Sequence, residues 1–163
     1  KAGLFQIEVN FEQGSTTVWY GPKQERIARC SLQPSAVSDV LKKTQQDIGS
    51  KLSPEDFQGK LKEAYMLSMT GGQPAPIVRV MSFFVWIYQD KKYHVDPSAS
   101  RYAEYTRMDF SYDLLRLRES LLDQVRLTVA TRSETADHGQ YLWIPDDAQS
   151  GKGTRYSHLQ FRS

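Results

Sequence analysis

Residues 77–90 read IVRVMSFFVWIYQD, the most apolar run in the chain. Its β-branched and aromatic composition is that of a buried strand. Its length, and the proline at position 76 where a helix would begin, favour a helix instead. As a helix it has only Arg79 and Ser82 to interrupt its apolar surface before Gln89, so it forms either the centre of a core or half of a partner interface. The helix reading is adopted because the elements that follow then fall into a familiar order.

Downstream, Tyr93-His94-Val95 reads as a short extended piece ended by Asp96-Pro97, and residues 98–105 as a short helix. Thr106-Arg107-Met108-Asp109 places an acid three residues after a hydroxyl cap, so a helix is expected from Arg107 to Glu119 with Phe110, Leu114, Leu117 and Leu121 on one face. Residues 125–130 (VRLTVA) alternate as a strand, residues 131–139 are polar, and residues 141–144 form the expected return strand, closed by Pro145-Asp146-Asp147. Gly151-Lys152-Gly153-Thr154 reads as a hairpin tip. A last strand, 156–161, sets Tyr156, His158 and Gln160 against Ser157, Leu159 and Phe161.

Helix, short strand, short helix, second helix and β-hairpin is an order that resembles winged helix-turn-helix domains, over residues 77–145 and by element order alone. The resemblance implies that the helix from Arg107 is a recognition helix and that residues 131–139 are the wing. The wheel of that helix argues against a DNA-reading role. Opposite the stripe of Phe110, Leu114 and Leu117 lie Met108, Tyr112 and Leu115, with Asp109 and Asp113 on one flank and Arg107, Ser111 and Arg118 on the other. A major-groove helix presents polar and basic groups, whereas this one offers a second apolar face and two acids. Met108, Tyr112 and Leu115 are therefore expected to pack on the N-terminal region or on another protein. Arg107, Arg126, Arg132, Lys152 and Arg155, together with Arg101 and Arg162, are the candidate contacts to a phosphate backbone.

Upstream, residues 4–11 (LFQIEVNF) alternate Phe5, Ile7, Val9 and Phe11 with Gln6, Glu8 and Asn10, the period of a half-buried strand. Residues 12–15 turn, residues 16–20 (TTVWY) make a second strand, residues 21–24 turn again, and residues 26–30 make a weaker third, giving an antiparallel meander. Pro34 opens a helix carrying Val37, Val40, Leu41, Thr44 and Ile48, and Gly49 stops it. Ser53-Pro54-Glu55-Asp56 opens another: a serine cap, proline in the first turn, and acids at the positive end of the helix dipole. Phe57, Leu61, Ala64, Tyr65 and Ser68 continue its stripe. Thr70 to Pro76 (TGGQPAP) is the one obvious linker. The expected organisation is thus an α+β chain, with residues 1–70 as meander plus helical pair and 77–163 as the winged-helix-like part, the two in one core or in two.

Composition narrows the function classes. The 163 residues are 39% hydrophobic and 25% charged, a globular balance. A net charge of +2 and an isoelectric point of about 8.6 show no basic excess of the nucleic-acid-binding kind. The two halves differ in the kind of base: nine of the twelve basic residues in 77–163 are arginine, against two of nine in 1–70. Arginine suits both phosphate forks and protein interfaces. The single cysteine, Cys30, rules out an intramolecular disulfide and a cysteine-rich zinc site, and points to a reducing, cytoplasmic setting. The opening residues lack the apolar core of a signal peptide, and the longest apolar run falls far short of the roughly 20 residues that span a bilayer. A membrane partner is therefore not expected. The first residue is Lys, not Met, which is consistent with a piece of a longer chain.

Chemistry is sparse. His94 with Asp96, and Asp137 with His138, are local pairs that belong to no metal-ligand repeat. Pro145-Asp146 opens a nuclease-like motif that no Glu-x-Lys completes, G-x-S-x-G is absent, and Gly71-Gly72 follow a helix where a phosphate loop would follow a strand. An enzyme would require Asp137, His138 and His158 to converge. No cofactor is implied. The expectation is a non-enzymatic binding module touching duplex DNA through its C-terminal hairpin; the alternative is a protein-interaction or scaffolding domain of a larger chain, using the Met108/Tyr112/Leu115 face or residues 77–90 to bind a protein partner or a second copy.

Overall fold

The computed structural model describes residues 3–70, 73–121 and 123–162. Gly71 and Gly72, read above as linker and weighed as a phosphate loop, lie outside them. The chain is α+β. Strands β1 (Phe5–Asn10), β2 (Ser15–Tyr20) and β3 (Glu25–Ser31) form the antiparallel meander that the alternation implies. Helices α1 (Pro34–Asp47) and α2 (Pro54–Ser68) follow. The serine cap of α2 forms as expected, Ser53 Oγ accepting from Asp56 N at 3.1 Å.

Residues 77–90 are helical. Ala75–Pro76 is a two-residue strand, β4, that runs directly into α3 (Ile77–Tyr88). This helix lies at the centre of the core, with Ile77, Val80 and Phe84 fully buried and Ile87 nearly so. Phe84 gathers Phe57, Tyr105 and Phe110 around it at centroid distances of 4.9, 5.3 and 5.3 Å. Offset and tilted aromatic contacts of this kind add to simple area burial.

Several local expectations are corrected. Residues 93–95 belong not to an extended piece but to the short helix α4 (Lys91–Val95), because Asp90 Oδ1 accepts from Tyr93 N at 2.8 Å and caps a new turn. The helix expected over 98–105 shrinks to one 3₁₀ turn, Ala99–Arg101. Helix α5 (Arg107–Arg116) starts where the cap predicts, Asp109 Oδ2 accepting from Thr106 N at 2.8 Å. It stops early at Leu117 (φ −101°, ψ 13°), and a separate turn, α6 (Arg118–Leu121), follows.

The largest correction concerns strand pairing. Strand β5 (Val125–Val129) does not form a hairpin with β6 (Leu142–Pro145); both pair antiparallel with β7 (Gly153–Phe161), which lies between them. Strand β4 joins the same side of β7 farther along, Ala75 opposite Leu159. A register shift leaves Ser157 as an extra residue between the Thr128–His158 and Val129–Tyr156 pairs. That bulge resets the alternation, so Tyr156 and Leu159 both pack on the core.

Two apolar clusters result. One joins α2, α3, α5 and the four-stranded sheet; the other joins the meander to Trp143 of β6, with α1 packed on it. Packing therefore crosses the linker, since Phe57, Leu61, Ala64 and Tyr65 of α2 share a cluster with α3 and β7. Helix α5 lies between the clusters, giving Phe110 and Leu114 to the first and Met108, Tyr112 and Leu115 to the second. No helix among the described residues is long and apolar enough to cross a membrane.

Candidate functional site

Each sequence-selected residue has a definite place. Met108, Tyr112 and Leu115 pack on the meander cluster, so the second apolar face of α5 is used within the chain. The two flank acids are buried and serve the fold. Asp109 Oδ1 accepts from Gly49 N at 2.8 Å. Asp113 accepts from Ser50 N and Tyr105 Oη, both at 2.8 Å, and from the Arg116 fork at 2.9 and 3.0 Å. The N-terminus of α5, where a recognition helix would meet DNA, is closed by Glu25, whose carboxylate accepts from Met108 N at 2.8 Å. Burial raises the Glu25 pKa, and that hydrogen bond only partly offsets it.

Arginine enrichment is partly explained by carbonyl clamps. Arg107 donates to His138 O at 2.8 Å and to Tyr141 O, pinning the loop read as a wing. Burial lowers its pKa. Arg118 donates to Pro145 O at 2.9 Å and Asp146 O at 3.0 Å, closing the end of β6. Arg155 lies over the Tyr141 ring at 5.4 Å. Arg126, Arg132, Lys152 and Arg155 are all exposed, spread over β5, the loop after it, the β6–β7 turn and β7.

Among the described residues, Asp137, His138 and His158 belong to no common cluster of three His, Cys, Asp or Glu side chains. Asp137 accepts from Gly139 N at 2.8 Å and Gln140 Nε2 at 3.0 Å, closing its own turn. The fold does bring together Glu134, Ser157 and His158, which the sequence did not suggest. Ser157 Oγ is 3.0 Å and Glu134 Oε1 3.8 Å from the same ring nitrogen, His158 Nδ1. A proton relay needs one imidazole nitrogen for the nucleophile and the other for the acid. Here one nitrogen serves both, and Ser157 is buried. Among the described residues no three His, Cys, Asp or Glu side chains gather to hold a metal.

The four-stranded sheet has a feature of another kind. Two of its exposed strand edges are closed. Gln24 reaches over from the meander like a substitute strand, its Oε1 accepting from Trp143 N at 2.6 Å and its Nε2 donating to Trp143 O at 3.1 Å. Ser111 Oγ donates to the same carbonyl at 2.6 Å, so the outer edge of β6 is satisfied there. Strand β4 is two residues long and ends in Pro76, which has no N–H to offer. Strand β5 has neither protection. Gln124 O accepts from Arg162 N and Ala130 N donates to Arg155 O, both at 2.8 Å, so residues 124, 126, 128 and 130 point their amides at β7. The backbone groups of Val125, Leu127 and Val129 then point outward, and no described residue hydrogen-bonds to them.

Beside that bare edge runs a groove of about 390 Å³. Leu114, Leu121, Val125, Leu127, Ile144 and Tyr156 make its apolar lining, and Arg118, Arg126 and Arg162 supply its charge. Val129, on the same face of β5 as Val125 and Leu127, is 60% exposed and carries the apolar strip beyond the groove. Comparison with protein-family models, with curated proteins and with solved structures finds no match to this chain.

Proposed function

We propose that this chain is a non-enzymatic protein-interaction module that binds an extended segment of a partner by adding it as a strand to β5. One observation carries the reading: among the described residues, β5 is the exposed edge of the four-stranded sheet that leaves a row of unpaired N–H and C=O groups, and it does so next to an apolar groove. An unprotected apolar edge is a pairing template that folded proteins ordinarily cover, charge or bulge away. A strand laid on β5 would satisfy the outward groups of Val125, Leu127 and Val129, and its alternate side chains would cover their apolar strip. Duplex DNA, contacting the exposed Arg126, Arg132, Lys152 and Arg155, would use none of these groups. Such contact would be to phosphate alone, because α5 has no free face for base edges.

Selection from a displayed random-peptide library on the wild-type protein, counter-screened on Val129→Pro, tests this. Proline removes an outward donor and leaves the β7 pairing intact, so a melting temperature close to wild type is expected. Selected peptides should bind wild type, shift the backbone NMR resonances of residues 125, 127 and 129, and lose affinity for Val129→Pro. Peptides that bind both proteins equally, or that shift residues away from β5, would overturn the reading.

A further inference from the structure

Resting on the strand-addition reading of β5, we propose that the added strand is acidic, alternating apolar residues with Asp or Glu. The groove beside β5 holds three arginines, Arg118, Arg126 and Arg162. None of them forms an ion pair among the described residues. The acids nearest in sequence, Glu119 and Asp123, are exposed and do not neutralise them. Arg118 is held against the carbonyls of Pro145 and Asp146. Carbonyl oxygens orient a guanidinium without cancelling its charge, and the remaining donors of its five stay free for a ligand. A carboxylate matches that fork in geometry and charge.

The apolar strip of Val125, Leu127 and Val129 dictates the other half of the pattern. A neighbouring strand packs apolar side chains opposite apolar ones on that face and turns its remaining side chains the other way. A second copy of this chain is a poor occupant, because its own three arginines would meet the first set, and like charges across an interface disfavour pairing. Phosphate would match the arginines but leave the outward amides and the apolar strip unmet.

The test is fluorescence anisotropy with a labelled heptapeptide alternating Val and Glu, its Val–Lys counterpart, and a Val–Glu peptide N-methylated on alternate amides. The Val–Glu peptide should bind at least about ten-fold more tightly than the Val–Lys peptide. Arg126→Gln and Arg162→Gln should each weaken it roughly two- to five-fold, as expected for partly exposed ion pairs. Among the described residues neither side chain makes a hydrogen bond or ion pair, so both variants should melt like wild type. Methylation should abolish binding. Equal affinity for the Glu and Lys peptides, with methylation still blocking both, would overturn the acidic partner and leave strand addition standing. Binding of the Glu peptide that survives methylation would overturn strand addition itself, and its displacement by duplex DNA would then assign the arginines to phosphate. Binding of neither peptide would overturn both.

Discussion

Replacing Asp113 by alanine removes the acceptor on which three segments of the fold converge. Its side chain is fully buried and accepts from Ser50 N, Tyr105 Oη and the Arg116 guanidinium. In the variant, two buried neutral donors lose their partner, at about 1–3 kcal/mol each. Arg116 keeps 34% of its side chain exposed and can turn to water, so its share is discounted to at most about 1 kcal/mol. Relief of the buried carboxylate's desolvation offsets part of the sum. The expected loss is about 3–5 kcal/mol, most of it from the two stranded neutral donors, and a large fraction of the 5–15 kcal/mol typical of a domain. Urea denaturation followed by circular dichroism measures it, with the melting temperature falling by about 10 °C or more. Tyr105→Phe removes one of the bonds and should cost about 1.5 kcal/mol, and the double variant should be sub-additive by at least about 0.5 kcal/mol. A loss below about 1 kcal/mol for Asp113→Ala, or full additivity in the cycle, would refute the idea that this carboxylate ties α5 to residues 50 and 105.

Two further outcomes follow from the packing and the local charge. A Cβ added at Gly153 would lie 2.5 Å from the Trp143 ring and 2.6 Å from Ile144 O, a backbone atom that cannot step aside; Gly153→Ala should cost about 1–3 kcal/mol in chemical denaturation, and an unchanged midpoint would contradict the close β6–β7 approach. Burial, and secondarily the Arg107 charge, lower the His138 pKa below its usual 6.5, so the unfolded chain takes up this proton first as pH falls. Stability conferred by neutral His138 is thus present above pH 6.5 and lost on acidification; an NMR titration giving His138 a pKa of 6.5 or higher would contradict its partial desolvation beside Arg107.

Local patterns account for the elements that could be read directly. The period of two in residues 4–11, the hydroxyl cap and acids at 53–56, and the cap at 106–109 each involve side chains and amides within a few residues of one another. That is why β1, α2 and the start of α5 stand where the sequence implies. Even the double apolar face of α5 was legible, because helical periodicity shows how many sides must be buried, though not by what. The pairing of β5 and β6 was not legible in this way. Alternation marks a strand without naming its neighbour, and only the full chain shows that β7 returns between them.

The candidate site depends on the same distinction. Val125, Leu127, Arg126 and Arg162 can be picked out from the sequence, and their chemistry is fixed by residue type. Which backbone groups of β5 remain unpaired is set by register with β7, and which edges are closed is set by Gln24 reaching across 119 residues to Trp143. The sequence alone thus determined the α+β class, the starts of α2 and α5 and the residues available for recognition, because these follow from short-range periodicity and capping. Tertiary structure alone decided which cluster covers each side of α5, that several arginines clamp carbonyls, and that the bare edge belongs to β5. Each of those facts is a contact between segments far apart in the chain, and no local pattern encodes a distant partner.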